Sequence, residues 1–133
     1  MSVVVVAGAL FNAAGEVLIA QRPPGRHLAG GWEFPGGKVA PGEDDAAALA
    51  RELREELGIG VSASRPFMTL THAYPDRSVE LRLRLVDGWQ GEVRGLDGQA
   101  LRWIAISELH QADILDADRP FIEALQRRAA GAR

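Results

Sequence analysis

Three carboxylates lie close together in one short segment of the chain: Glu52, Glu55 and Glu56, within "RELREELGI". At about 100° per residue, their side chains would occupy an arc of roughly 100° beside the apolar stripe of a helix. Like charges three or four residues apart cost about 0.2–0.5 kcal/mol per pair, so this face favours a bound cation. From the residues alone, a solvated helix with an Arg51–Glu55 ion pair is the simpler alternative.

The segment before these carboxylates, "FPGGK", places two glycines where the backbone can come close to a ligand. A backbone carbonyl and several carboxylates together offer hard oxygen ligands, which suit Mg²⁺ or Mn²⁺ better than zinc. Such ions bridge phosphate oxygens, and they would let an acidic chain bind a polyphosphate. We therefore expect a Mg²⁺ site, with Mn²⁺ as an alternative, and a phosphorylated substrate.

A helix must hold these carboxylates in place, and the apolar residues of the segment 45–57 recur at helical spacing. Gly58 follows where a left-handed cap would end the helix. The predicted core-facing residues of this helix are Ala46, Leu49, Ala50, Leu53 and Leu57.

Strands are predicted on either side of this helix. Residues 3–11 form an apolar run typical of a strand covered on both faces, and a turn at 12–15 would lead into a return strand over 16–22, making a hairpin. A loop over 23–31 and a short extended piece over 32–34 precede the helix. After the helix we expect an extended stretch over 62–71, a turn at "YPDR", a strand over 79–86 with one wet face, a loop over 87–99, a strand over 100–106 and a helix from 118 to about 128.

This mixture of elements predicts one α/β domain over residues 1–133, an α/β/α sandwich around a mixed sheet. The chain has no cysteine, which suits a reducing compartment, so we expect a cytoplasmic protein. The apolar N-terminal run is about half the length of a membrane span. A net charge of −3 with scattered basic residues argues against stable nucleic-acid binding. We expect a small-molecule partner, no membrane association, and a monomer or weak dimer.

The spacing around the three carboxylates resembles the Nudix box. The matching positions are Gly37, Glu43, Arg51, Glu52, Leu53, Glu55, Glu56, Gly58 and Ile59. Outside this box, "AQRP", "WEFPGGK", "YPDR", "GQALRW" and "DADRPFIEAL" resemble the MutT branch of the same family. The resemblance therefore covers nearly the whole chain.

The resemblance implies an enzyme that converts a nucleoside triphosphate into a monophosphate and pyrophosphate. Its expected substrate is an oxidised nucleotide such as 8-oxo-dGTP, with CTP or dCTP as the alternative within the branch. A nucleotide-binding module that has lost catalysis is a second alternative, against which the complete set of carboxylates argues. A nucleotide-sugar or ADP-ribose hydrolase is a third, although such enzymes usually need additional substrate-binding elements.

The resemblance also implies roles in catalysis and metal binding. The metal ligands would be the carbonyl of Gly37 and the carboxylates of Glu52, Glu55 and Glu56. Arg51 would orient these carboxylates through bidentate hydrogen bonds, with Glu43 in the same network. The general base would be Glu52 or, as second choice, Asp97, a residue that could equally be part of a plain loop turn.

Nucleotide contacts are expected around this centre. Arg22 and Lys38 would add positive charge for the phosphates, although both could simply be solvated, and His27 lies in the loop before the box. Asp118 would read the base, or would only cap the last helix; the branch has asparagine at this place. The remaining expected contacts are Glu33 and Asp76 with sugar hydroxyls, Arg77 with sugar or base, and Phe34 and Tyr74 stacking on the base, while "YPDR" could be a plain turn.

Overall fold

The computed structural model describes residues 2–131, which form two β-sheets and two α-helices. The strands are β1 (Ser2–Leu10), β2 (Glu16–Gln21), β3 (Trp32–Glu33), β4 (Gly36–Lys38), β5 (Gly60–Ala73), β6 (Ser78–Gln90) and β7 (Leu101–Ala105). The helices are α1 (Asp45–Leu57) and α2 (Arg119–Gly131), and short 3₁₀ turns cover Ile106–Gln111 and Asp116–Asp118.

The larger sheet is mixed and has the strand order β4-β1-β6-β5. β1 and β6 run parallel, whereas the pairs β1–β4 and β5–β6 are antiparallel. The second sheet, with the order β3-β2-β7, is entirely antiparallel. The predicted α/β/α sandwich with a central mixed sheet is confirmed.

The predicted hairpin of β1 and β2 is wrong, because the two strands belong to different sheets. They meet in an isolated bridge between Phe11 and Val17, after which β2 pairs with β3 and β7. The side chain of Asn12 accepts the Glu16 N–H at 2.9 Å and so turns the chain from one sheet to the other. β1 and β2 are both apolar on their two faces. Each strand can therefore pair with a strand other than its neighbour in sequence without exposing an apolar face to water.

Two hydrophobic clusters hold the layers together. In one, Leu49, Leu53 and Leu57 of α1 pack against residues of β1, β2 and β6; in the other, Phe121 of α2 packs against the opposite faces of the same strands. Complete burial of one such side chain contributes about 1.5–3 kcal/mol. α1 is therefore fixed along its length against the sheets that bear the cavity described below.

The boundaries of α1 agree with the sequence, and one core position differs. Asp44 caps the N-terminus by accepting the Ala47 N–H at 2.7 Å, and Gly58 ends the helix at φ 71°. Ala48 is buried and Ala46 is exposed, which exchanges two small residues at the edge of the apolar stripe. The predicted loop over 87–99 is also shorter, because β6 continues to Gln90 through its pairing with β5.

Candidate active site

A cavity of about 500 Å³ opens where β1, β3, β4 and α1 approach one another. Neighbouring strands supply an apolar floor, since Val3 and Val5 of β1 lie beside Val79 and Leu81 of β6 in register. Acidic and basic side chains share the remaining wall. The acidic residues are Glu33, Glu52, Glu56, Asp97 and Asp118, and the basic residues are Arg22, Arg26, His27, Lys38 and Arg77.

Arg51 is the centre of a hydrogen-bond network beside this cavity. Its guanidinium donates to both carboxylate oxygens of Glu43, at 2.8 and 3.0 Å, and to Glu52 at 3.0 Å. It also donates to the carbonyl of Lys38 at 3.0 Å, which ties α1 to β4. Arg51 itself is not among the cavity-lining residues. The predicted Arg51–Glu43 contact is confirmed, and Arg51 also contacts Glu52, whereas its orienting role in catalysis stays a prediction.

Gly37 and Glu52 lie in direct contact where β4 passes α1. A Cβ atom on residue 37 would fall on the Glu52 carboxylate, so only glycine leaves this carboxylate in its place. The neighbouring Gly36 is equally restricted, because a Cβ there would collide with the backbone of Val6. The two glycines of "FPGGK" therefore bring the β4 backbone and a carboxylate to the same part of the cavity.

Gly37→Ala should lower kcat about tenfold without unfolding the protein. The added methyl group displaces the Glu52 carboxylate, which is the flexible end of its side chain, and small displacements of a reacting group are costly. Gly60→Ala is the matched control, because a Cβ at residue 60 has no neighbour within 4 Å. Thermal denaturation and steady-state kinetics of both variants test this; equal kcat values for the two would contradict it.

Glu56 faces other carboxylates across the cavity. Burial raises the pKa of Glu56 to about 8, and the charges of Glu52, Glu33 and Asp97 add to this increase. Mutually repelling carboxylates beside a backbone carbonyl form an all-oxygen donor set, which fits a hard divalent cation. Among residues 2–131, no three acidic or histidine side chains already stand close enough to enclose an ion. The types of residue present therefore fit a hard cation, and the side chains would have to move closer together to hold one.

Glu55 lies outside the cavity lining. Its side chain is 60% exposed and accepts a hydrogen bond from Arg51 at 3.4 Å. This is the Arg51–Glu55 ion pair that a solvated helix without a metal would also form. The metal-ligand roles of Gly37, Glu52, Glu55 and Glu56 all stay predictions. Three of the four, Gly37, Glu52 and Glu56, line one cavity.

Arg22 stands at the end of β2 and holds the loop over 23–31. It donates to the Glu33 carboxylate at 3.0 Å and to the carbonyl of His27 at 3.0 Å. Burial raises the pKa of Glu33, while the adjacent Arg22 opposes this increase. Both side chains line the cavity, so the pair is available to a ligand, but Arg22 already organises the protein itself.

The two aromatic residues predicted to flank the base differ in their position: one lines the cavity and the other is buried. Tyr74 lines the cavity and meets His27 edge to face, with ring centroids 6.2 Å apart. Phe34 is 3% exposed, packs against Phe121 and is not among the cavity-lining residues, so the structure does not support its predicted contact with a base, which stays a prediction. Neighbouring residues in extended chain point to opposite sides, and Glu33 takes the side of the cavity.

The turn "YPDR" contributes two of its four residues to the cavity. The backbones of Tyr74 and Arg77 exchange hydrogen bonds at 2.7 and 3.3 Å, which leaves Asp76 at the exposed tip. Tyr74 and Arg77 line the cavity, whereas Asp76 does not. The cavity lining does not support the predicted contact between Asp76 and a sugar hydroxyl, which stays a prediction.

Asp118 is a buried carboxylate at the cavity, with 7% of its surface exposed. One of its oxygens accepts the Phe34 N–H at 3.0 Å, which joins the start of α2 to the segment between β3 and β4. Burial raises the pKa of Asp118 to about 7, against the opposing effect of the Phe34 hydrogen bond. The Asp118 side chain thus accepts from Phe34 rather than from the first turn of α2, and it can hold a proton near neutral pH.

Asp118→Asn should change the free energy of unfolding more favourably at pH 8 than at pH 5. Because the folded-state pKa of Asp118 lies above the usual value for aspartate, its stabilising contribution is complete below about pH 4 and is lost as the pH rises through 7. Asparagine can still accept the Phe34 N–H but does not ionise. Between pH 5 and pH 8 the difference in unfolding free energy between variant and wild type should change by about 2–3 kcal/mol in favour of the variant, because the cost of burying the amide is the same at both pH values.

Urea unfolding of both proteins at the two pH values measures this difference. Asp116→Asn is the control, because Asp116 lies two residues away in the same turn and its side chain is 88% exposed. A stability difference that does not change with pH would contradict the assignment.

Sequence reasoning missed several cavity residues. Gln99 follows Asp97 closely, yet its type and position alone gave no reason to select it. Arg26 could have been found as a cation in the loop that also contains His27. The other cavity-lining residues that were not predicted are Val3, Val5, Ala20, Gln21, Pro23, Pro35, Gly36, Val79, Leu81, Leu115 and Ala117.

Comparison with known proteins gives a consistent result. Residues 6–124 match the family described as NUDIX domain. The 8-oxo-dGTP diphosphatase of Escherichia coli K12 is 37% identical over 123 residues, covering 92% of this chain and 95% of that protein. The CTP pyrophosphohydrolase of the same organism is 37% identical over 124 residues, covering 93% and 92%. The crystal structure of a MutT Nudix hydrolase from Burkholderia pseudomallei has a TM-score of 0.82 at 28% identity, covering 93% of this chain and 98% of that chain.

None of the helices in residues 2–131 is both long and apolar enough to cross a membrane. The family match covers the box and most of the cavity and of both hydrophobic clusters. Both relatives align over nearly their whole length. The sequence pattern, the fold and the alignments thus agree, and the chain belongs to the Nudix family, in its MutT-like branch.

Proposed function

We propose that this protein hydrolyses a nucleoside triphosphate to the monophosphate and pyrophosphate, with 8-oxo-dGTP as its preferred substrate. The observation that carries the proposal is the convergence of Glu52, Glu56 and the Gly37 backbone on one cavity. Its volume of about 500 Å³ lies within the range of small-molecule sites, about 300–1,000 Å³. The names of the two E. coli relatives support the substrate class.

Nudix hydrolases in general need a divalent metal ion, and we infer that Mg²⁺ serves here. The carbonyl of Gly37 and the carboxylates of Glu52, Glu55 and Glu56 would hold it. When bound, Mg²⁺ supplies Lewis-acid polarisation of the phosphoryl group and neutralises part of the charge of the triphosphate.

The remaining chemistry belongs to the side chains. Glu52 takes the proton of the attacking water, and Arg51 holds its carboxylate in a fixed orientation. Asp97, which also lines the cavity, is the second candidate for this proton transfer. Arg77, Lys38 and the Arg22–Glu33 pair stand where they can contact the phosphates or the sugar, and Tyr74 offers a ring for stacking on the base.

Preference for 8-oxo-dGTP rests on Asp118. A protonated carboxyl group offers one donor and one acceptor, which match O6 and the N7 hydrogen of 8-oxoguanine. CTP or dCTP is the second candidate, because an ionised Asp118 offers only acceptors and suits the cytosine amino group. Since the pKa of Asp118 is raised to about 7, both forms are accessible near neutral pH, and the protonated form favours 8-oxo-dGTP.

A substrate panel tests this proposal. The purified protein is incubated with Mg²⁺ and with 8-oxo-dGTP, dGTP, dCTP and CTP, and pyrophosphate release is measured for each. The highest kcat/KM is expected for 8-oxo-dGTP. Release of pyrophosphate from none of the four would overturn the proposed reaction, and a higher kcat/KM for CTP or dCTP would overturn the proposed base preference.

The position of water attack follows from the family resemblance, which implies substitution at the β-phosphorus. In ¹⁸O-water, the pyrophosphate should then gain one labelled oxygen and the monophosphate none. Mass spectrometry of both products distinguishes attack at the β-phosphorus from attack at the α-phosphorus. Label in the monophosphate would place the attack at the α-phosphorus instead.

We also infer a cytoplasmic location and a monomeric or weakly dimeric state, with no stable nucleic-acid complex. The cysteine-free composition supports the cytoplasmic location. The small-molecule size of the cavity supports a nucleotide rather than a nucleic acid as the ligand. Light scattering at several protein concentrations tests the assembly state.

A further inference from the structure

The loop after β6, residues 91–100, brings Asp97 to the cavity. Its first half is anchored to the C-terminal end of α1: the Arg94 N–H donates to the Leu57 carbonyl, and the Leu96 N–H to the Glu56 carbonyl, both at 3.0 Å. Asp97 follows immediately after these anchors. Within the turn the Gly98 N–H donates to the Gly95 carbonyl at 3.0 Å, and a side chain adds a further anchor for the Asp97 backbone, which carries the carboxylate.

The side chain of Gln99 provides this anchor. Its Oε1 accepts the Asp97 N–H at 2.9 Å, and its Nε2 donates to the Glu56 carbonyl at 3.3 Å. The turn is tightly packed at this point, because a Cβ on Gly95 would collide with the backbone carbonyl oxygen of Gln99. Gln99 is half-buried and lines the cavity. One side chain thus joins the backbones of two acidic residues of the site.

We propose that Gln99 is a positioning residue that fixes the Asp97 carboxylate relative to Glu56 and affects the reaction through Asp97. This inference rests on the proposed hydrolysis of a nucleoside triphosphate and on the participation of Asp97 in it. An apolar side chain of similar size cannot pair with either backbone group, and because Asp97 is exposed, its turn can then move into solvent. A displacement of about 1 Å in a reacting group can reduce a rate by up to 10²-fold.

Gln99→Leu should lower kcat about tenfold and leave KM for the triphosphate within twofold. It should also accelerate hydrogen exchange of the Asp97 amide, measured by NMR, which reports on the anchor independently of activity. Gln126→Leu is the matched control: Gln126 likewise donates from its side chain to a backbone carbonyl, that of Ile106 at 3.1 Å, but it lies outside the cavity lining. The control should change neither quantity.

A double-mutant cycle with Asp97→Asn identifies the route. If Gln99 acts through Asp97, Gln99→Leu should cost less than twofold in kcat when Asp97 is already asparagine. An undiminished tenfold loss in that background would overturn the proposal, as would unchanged exchange of the Asp97 amide in the single variant.

The failure of this inference can be told apart from failure of the proposed function. If wild type releases pyrophosphate and Asp97→Asn retains the wild-type kcat, Asp97 takes no part in the reaction, and the role of Gln99 is overturned while the function stands. If wild type hydrolyses none of the triphosphates in the panel, the proposed function itself is wrong.

Discussion

Replacing Glu52 with glutamine should lower kcat by about 10²- to 10⁴-fold, the scale expected for the loss of a general base. Glutamine keeps the size of the side chain and can still accept the hydrogen bond from Arg51, which is 3.0 Å long in the wild-type protein. It cannot take up a proton at neutral pH. The hydrophobic side of α1 is unaffected, so the fold should persist. Pyrophosphate release at saturating Mg²⁺ and substrate measures the effect.

Two further variants make this prediction specific. Glu123→Gln controls for the loss of one exposed carboxylate, since Glu123 lies on the solvent side of α2. Glu55→Gln should cost less than Glu52→Gln, because Glu55 is largely exposed and lies outside the cavity lining. A Glu52→Gln enzyme with wild-type turnover would remove Glu52 from the reaction. A larger loss from Glu55→Gln would show that bound metal draws Glu55 into the site.

The part of the site on α1 could be predicted because it is encoded locally. Helical periodicity, an acidic residue before the helix and Gly58 after it fix α1 within a single segment. The same spacing places Arg51 beside Glu52 and within reach of Glu43, so the network follows once the helix is known. Contacts of this kind do not depend on distant parts of the chain.

The errors arise where distant segments decide. β1 is apolar on both faces, so its own pattern could not reveal that it pairs with β6, more than seventy residues away, instead of with β2. The side chain of Gln99 has partners only because its loop docks on α1. Phe34 is different, since the alternation of an extended chain does predict that Phe34 and Glu33 face opposite sides.

The chemical state of Asp118 is also a product of the tertiary structure. The sequence contains only an aspartate before "RPFIEAL", which is a common helix start. Burial raises the pKa of Asp118 to about 7, although the hydrogen bond from the Phe34 N–H lowers it. A residue whose position suggests a simple cap is therefore a buried carboxyl group that can hold a proton near neutral pH.

Asp118→Asn should shift selectivity toward 8-oxo-dGTP and away from dCTP. With its oxygen accepting the Phe34 N–H, asparagine presents its amide donor to the cavity at every pH, whereas ionised aspartate presents only acceptors. A well-placed pair of hydrogen bonds to a base discriminates by about 1–3 kcal/mol, so the ratio of kcat/KM values should change about 5- to 150-fold at pH 8.

The pH dependence of this ratio separates the proton on Asp118 from other effects of the substitution. At pH 6 the wild-type carboxyl group is mostly protonated, because its pKa is raised to about 7, so the two enzymes should differ little. At pH 8 wild type loses its donor and the difference should be complete, while the variant's ratio stays constant. Both substrates carry the same triphosphate, so its titration cancels in the ratio. Asp116→Asn should behave as wild type, and an Asp118→Asn ratio within about twofold of wild type at pH 8 would exclude Asp118 as the base-reading residue.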